Sequence, residues 1–365
     1  MNTIHEHACA SASADADADA NGRARAPAPA AAAVKFGPLP GQWPRRLALL
    51  VSLATLSLSF GCTPAPSAAL RVGINPWPGY EFMFLAQEKG FYRDAGLEVR
   101  LIEFSSLSDA RRAFERGQID AMGTTVVEVL QVRDQSARSP EVVQVVDYSN
   151  GADVILARPG IANSAGLRGA RIGVELGSLG VYMLARGLEK NGLGLADVKL
   201  IAMDQLSMEE AFRKGELDAL VTYPPVSIKL LRGSLVHPVF SSAEIPGEVL
   251  DVIAVEAQIN RERPADVAKF LRAFERAIAY TEQNPQEAYR IMAAREGLTP
   301  AEFAMALTEG VKVLGAADQA AFLQPGGKLG AVIDATDRIL RQSAQIKGPD
   351  RRAGIANPAL NGARP

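Results

Sequence analysis

Pro76-Trp77-Pro78-Gly79-Tyr80-Glu81 directly follows an apolar strand pattern. Two prolines and a glycine fix the shape of this loop, so Trp77 and Tyr80 read as rings that stack on or cover a bound molecule. Glu81 either accepts a hydrogen bond from a ligand amine or favours the N-terminus of the helix that follows. Thr124 and Thr125 end one strand and begin a helix, and Gly177 and Ser178 stand in the same relation further on. Hydroxyls and free N–H groups at such points hold an anionic group or cap the helix. Thr222 and Tyr223 end another strand, and Asp147 and Tyr148 close a fourth. Asp147 reads equally as a hydrogen-bonding group at a chain crossing and as a ligand contact. None of these positions carries Arg or Lys. A simple anion would therefore rely on helix N-termini and hydroxyls, while Glu81 and Asp147 favour an amine. The pattern suggests a small polar solute bearing both kinds of group, with a flat or apolar part against Trp77 and Tyr80.

The chemistry that is missing narrows the function further. Three His and two Cys in 365 residues do not supply a zinc site of several Cys and His. No G-x-S-x-G elbow is present. The glycine-rich run at Gly192–Asp197 follows a helix and lacks dinucleotide-binding spacing. With 39 basic and 41 acidic residues the net charge is −2, which argues against nucleic acid as a partner. No cofactor or metal and no enzymatic reaction is expected.

Strand and helix patterns alternate from Leu70 to about Tyr223, so these residues belong to an α/β protein built from βαβ units with mainly parallel sheets. Leu70–Asn75, Leu97–Phe104, Ile119–Thr125 and Val142–Ser149 read as strands. Phe82–Gly90 and Ser108–Gly117 read as helices, the second with a serine cap and a glycine stop. The pattern then repeats. Ala113-Phe114-x-Arg116-Gly117-x-Ile119-Asp120-Ala121-Met122 matches Ala211-Phe212-x-Lys214-Gly215-x-Leu217-Asp218-Ala219-Leu220, 98 residues later. Two such units suggest two lobes facing each other, with ligands beyond the carboxyl ends of the strands. Asp120 and Asp218 read as structural groups in helix-to-strand turns. Residues 261–343 are helical in pattern. The Gly/Pro/Arg-rich tail at 346–365 reads as disordered.

Residues 1–61 read as a leader outside the fold. Ala10–Ala33 is low in complexity. Arg45-Arg46 then precedes the uncharged run Leu47–Phe60, too short for a membrane span and suited to a secretory signal. The run ends in Gly61-Cys62-Thr63-Pro64, which resembles a bacterial lipobox. That resemblance implies cleavage before Cys62, lipidation of its sulfur, and a protein in the periplasm anchored to the membrane by an N-terminal lipid.

Ile74–Val99, with Trp77-Pro78-Gly79-Tyr80-Glu81 and Leu85-Ala86-x-Glu88-x-Gly90-Phe91, is similar to the start of ABC-transporter periplasmic solute-binding proteins of the nitrate/sulfonate/taurine/thiamine-pyrimidine family, the aliphatic sulfonate-binding-like group. Phe114–Ala121, Leu167–Gly180 and Asp218–Pro225 extend the resemblance over about residues 70–345. It implies a two-lobed binding protein of the second periplasmic type. One lobe is 70–150 plus 250–345, the other 151–249, and crossings near Tyr148–Asp153 and Gly247–Val252 form the hinge. The cleft captures a small polar solute of sulfonate, taurine, nitrate or aminopyrimidine type, and a monomer delivers it to an ABC permease with ATPase subunits. A lipoprotein that senses a ligand and signals to a membrane kinase is an alternative. A further alternative is an enzyme like the pyrimidine synthases, whose Cys-rich iron motif and reactive His are missing here.

Overall fold

A computed structural model describes residues 68–233 and 236–356, and the leader, including Cys62, lies outside them. Strands β1 (Leu70–Ile74), β2 (Val99–Glu103), β3 (Ala121–Thr125), β4 (Pro140–Ser149), β10 (Leu250–Glu256) and β11 (Val311–Val313) form one sheet, in the order β11-β4-β10-β3-β1-β2. Strands β5 (Val154–Ala157), β6 (Arg171–Val174), β7 (Lys199–Ala202), β8 (Ala219–Thr222) and β9 (His237–Ser241) form the other, in the order β7-β6-β8-β5-β9. Burial sets the composition. The β10 run LDVIAVE is covered on both faces and carries apolar side chains at most positions. The sheet-edge strands β2 and β7 have no fully buried residue and mix charged with apolar side chains.

The α/β reading holds, but the expected dominance of parallel pairing is confined to part of each sheet. β2-β1-β3 and β7-β6-β8 are parallel. β10 and β4 in the first sheet, and β5 and β9 in the second, pair antiparallel. The cause is connectivity: each chain crossing delivers its strand into the middle of the other sheet against the direction set by the βαβ units. The crossings run between Ser149 and Val154 and between Ser241 and Leu250, and the Ser149 and Ser242 hydroxyls join them at 2.7 Å.

The repeat seen in sequence is a structural one. Asp120 accepts hydrogen bonds from the Arg71 backbone N–H (3.0 Å) and guanidinium Nε (3.1 Å). Asp218 does the same for Arg171, at 2.8 and 3.1 Å. Both aspartates tie a turn to the start of the neighbouring strand, the structural role expected of them.

The helices that matter for the site are α1 (Glu81–Glu88), α2 (Leu107–Glu115), α3 (Val126–Gln135), α4 (Leu179–Glu189) and α5 (Gln205–Arg213). Their caps differ from a simple reading in one respect. Ser106, not Ser108, caps α2 and accepts from the Asp109 N–H at 3.2 Å. The helical third region appears as α6 (Pro264–Gln283), α7 (Pro285–Glu296), α8 (Lys328–Gln342) and shorter pieces.

The tail departs from expectation. Residues 346–356 are packed rather than disordered, with Ile346 and Ile355 buried. The Arg133 guanidinium donates to the carbonyls of Arg351, Ala353 and Gly354 at 2.6–3.0 Å, and Val142 bridges to Ala356. Two isoleucines, the buried Arg133, and bonds such as those from the Lys347 and Gly348 N–H groups to Asp134 hold a segment whose composition alone reads as unstructured, while 357–365 lie outside the described residues.

Candidate functional site

The loop after β1 is set by a close approach. A Cβ on Gly79 would lie 1.8 Å from Asp147 Oδ2, so only glycine lets the loop descend onto the end of β4. That descent brings Trp77 over the strand ends, where its Nε1 donates to Asp147 Oδ2 at 3.1 Å. Tyr80 stands beside it, and its hydroxyl donates to Asp251 Oδ1 at 2.6 Å. From the other sheet, Tyr223 meets Trp77 edge to face, with ring centroids 6.0 Å apart and planes at 75°. Together with Asn75, Leu107, Thr125, Asp153, Leu179 and Asp251, these three rings line a tight cavity of about 10 Å³ between the two sheets, room for about one water molecule.

The sequence reading therefore places Trp77, Tyr80, Thr125 and Tyr223 on one cavity wall system, and the structure brings them together. The other candidates are arranged differently. Asp147 lies one layer behind Trp77. Thr222 donates to Gln205 Oε1 of α5 at 2.8 Å. Thr124 is buried at the end of β3, and Tyr148 is half-buried on the other face of β4, paired with Leu250 and Lys312. Glu81 does not face the cavity. It turns toward Arg295 of α7, which donates at 3.0 Å. Successive helical residues point about 100° apart, so with Tyr80 on the cavity side Glu81 is directed elsewhere. Burial pushes its carboxyl up to about 8, against the pull of Arg295.

Five acidic side chains not all visible as a set in sequence surround the cavity: Glu128, Asp147, Asp153, Glu175 and Asp251. All are nearly or completely buried. No donor reaches Asp153 Oδ2, Asp251 Oδ2 or Asn75 Oδ1. Asp147 and Asp251 are register partners across β4 and β10, two acceptor-only groups side by side when ionised. Burial raises Asp147 to about 7, raises Asp153 to about 7, and raises Asp251 well above the carboxylate range with Asp147 adding to the effect. Burial also raises Glu175 and Tyr223. None of the nine lining residues is Lys or Arg.

The positions expected to hold an anion are occupied from within the protein. Thr125 caps α3, and its N–H donates to Glu128 Oε2 at 3.2 Å in a capping box. The same carboxylate reaches the other sheet's layer, where the Ser178 hydroxyl (3.1 Å) and the Leu179 N–H (2.8 Å) donate to Oε1. Glu175 accepts in return from the Ser108 N–H of α2 at 2.7 Å, and Arg111 of α2 donates to the Gly177 carbonyl at 3.1 Å. Asp153 sits in a chain crossing and Asp251 near the start of the apolar strand β10, where neither stands out in the sequence pattern. Glu128 was legible only as the fourth residue of a Thr-x-x-Glu capping signature.

A site built between two α/β sheets joined by two crossings narrows the family, and residues 77–288 match the one described as NMT1/THI5 like. The chain belongs to this family. A protein of Brucella abortus (strain 2308) named as a binding protein is 27% identical over 248 residues, 65% of this chain and 76% of that one. A Bacillus subtilis (strain 168) protein named as an aliphatic sulfonates-binding protein is 26% identical over 257 residues, 66% of this chain and 75% of its relative. Among solved structures, the alkanesulfonate-binding protein SsuA from Xanthomonas axonopodis pv. citri bound to MOPS superposes with a TM-score of 0.65. It is 19% identical and covers 79% of this chain and 96% of its own. The fold of this NMT1/THI5-like chain is thus the two-lobed one of the second periplasmic binding-protein type.

Proposed function

We propose that this protein is the periplasmic solute receptor of an ABC importer and that its cleft takes a small, flat solute bearing a positive or amine group. The solute-binding role is supported by the family and by relatives named as binding proteins, and the periplasmic setting by the likeness to a periplasmic aliphatic sulphonate binding protein of Escherichia coli. The observation that carries the solute class is the pair of buried carboxyl oxygens, Asp153 Oδ2 and Asp251 Oδ2, that lack a donor on a cavity wall without Lys or Arg. Buried acidic groups are costly unless a donor or cation meets them, and an ammonium or amino group supplies both. Trp77, Tyr80 and Tyr223 supply ring faces and edges, which suit a flat or cationic body. A simple sulfonate or nitrate finds no free cation there, so the amine half of the mixed-charge expectation is the better supported one.

In this reading residues 70–150 and 250–345 form one lobe and 151–249 the other. A solute touching both favours the closed form. Cys62 carries the lipid that tethers the receptor beside its permease, and Cys62→Ser releases it from the membrane fraction. The chain performs no chemistry on its solute. The test is a thermal-shift panel of nitrate, methanesulfonate, taurine, an aminopyrimidine and benzylamine against the wild type and Trp77→Ala. The amine-bearing compounds raise the melting temperature, by mass action about 2.7 kcal/mol at a hundredfold excess over Kd. Trp77→Ala weakens them by about 1–2 kcal/mol, roughly five- to thirtyfold in Kd. A panel in which only nitrate or methanesulfonate stabilises the protein contradicts the proposal.

A further inference from the structure

We infer that Glu128 is the specificity-determining residue of the cleft, a built-in anion that fills the seat an anionic solute would need. The inference rests on the cleft between the sheets being the solute site. Its basis is the position of one carboxylate on donors from both lobes. Oε2 accepts from the Thr125 N–H at 3.2 Å and from the Thr125 hydroxyl. Oε1 accepts from the Ser178 hydroxyl at 3.1 Å and the Leu179 N–H at 2.8 Å. The side chain is completely buried.

Two helices aim their first turns at this carboxylate, α3 with ten residues and α4 with eleven. Each concentrates partial positive charge at that end. Such a junction of hydroxyls and free N–H groups is the usual seat for a sulfonate, phosphate or carboxylate. Here the seat is used up, and its occupant is covalently part of α3. An oxoanion entering the cleft would have to displace Glu128 into surroundings that already hold Asp153 and Glu175. A neutral or cationic solute meets no such obstacle. Selection against anions is therefore produced by an occupied site as well as by repulsion.

Removing the occupant should reverse the selectivity. Glu128→Ala leaves five donors, the Thr124 hydroxyl at 3.5 Å among them, without this acceptor, opens the space of a carboxyl group and removes one negative charge. The full chain, as wild type, Glu128→Gln and Glu128→Ala, is titrated with methanesulfonate and acetate, with binding read by calorimetry and by melting temperature. The wild type shows no saturable binding at the cleft. Glu128→Gln, whose amide still fills the seat, gains little. Glu128→Ala binds methanesulfonate about tenfold or more tightly than either, and the added Trp77→Ala change weakens that binding. Where the alanine variant does not melt cooperatively alone, Glu128→Ser replaces it, and restoration of a cooperative transition by methanesulfonate is the readout. Wild-type binding of methanesulfonate that Glu128→Ala leaves unchanged or weakens overturns the inference, as does the absence of any anion effect on both short variants. If that wild-type binding is lost in Trp77→Ala, the cleft is still the solute site and only the role of Glu128 fails. If no solute binding responds to Trp77, the cleft reading itself fails.

Discussion

Gly79 shows how a single side-chain absence shapes the site. Its backbone lies where a Cβ would sit 1.8 Å from Asp147 Oδ2 and 3.1 Å from Val146 Cγ1. Gly79→Ala should push the loop off the end of β4, part Trp77 from Asp147, and cost about 1–3 kcal/mol by overpacking. A denaturant melt checks this, and an unchanged midpoint would contradict it. At this scale the grouping of Trp77, Tyr80, Thr125 and Tyr223 was legible because each lies at or shortly after the end of a strand. For Glu81 the helix-terminus alternative is the one realised, since it opens α1, and only Arg295, more than two hundred positions away, shows where its side chain points. Sequence reading passed over Asp153 and Asp251. Their neighbours in sequence are a crossing and an apolar strand, and the sheet pairing that sets Asp251 beside Asp147 is not local.

At the scale of elements, the βαβ pattern was legible because apolar periodicity and glycine stops are local signals. The antiparallel strands β5 and β10 were not, since direction in a sheet depends on where a long connection returns. The packed tail is a similar case. Residues 346–356 lack a helix or strand pattern, and among the contacts that order them is Arg133 on α3, whose guanidinium serves four carbonyls, those of Pro140, Arg351, Ala353 and Gly354. Arg133→Met keeps much of the apolar stem and removes these donors. Amide exchange over 351–356 should quicken, with a loss of about 1–3 kcal/mol for carbonyls left unpaired. Unaltered protection in that segment would contradict this and leave its order to the other contacts, such as Asp134 on the Lys347 and Gly348 N–H groups and Arg351 on the Arg133 and Ser136 carbonyls.

For the whole molecule, the buried acids link stability to pH. Asp147 and Asp153 titrate at about 7 and Glu81 at about 8 in the folded protein, all above their ordinary values. A raised folded value means the stabilisation is fully present below the unfolded pKa and is lost as pH rises through the folded one. The ligand-free protein should therefore be more stable near pH 5 than near pH 8, measured as the melting temperature across that range. A melting temperature that climbs over the same interval would contradict the placement of these carboxyls. A cationic solute has the opposite dependence, because it pairs with the ionised acids and releases their protons. Ligand-free stability and amine affinity thus move in opposite directions with pH, whereas an anion-binding cleft would lose both as the acids ionise.

The most direct measurement is a calorimetric titration of the wild-type protein with benzylamine, which stays protonated between about pH 5.5 and 8, set beside benzenesulfonate under the same conditions. The account predicts saturable benzylammonium binding that tightens toward pH 8, proton release at the lower pH, and no binding of benzenesulfonate. Tight benzenesulfonate binding, with benzylammonium inert at both pH values, would contradict it.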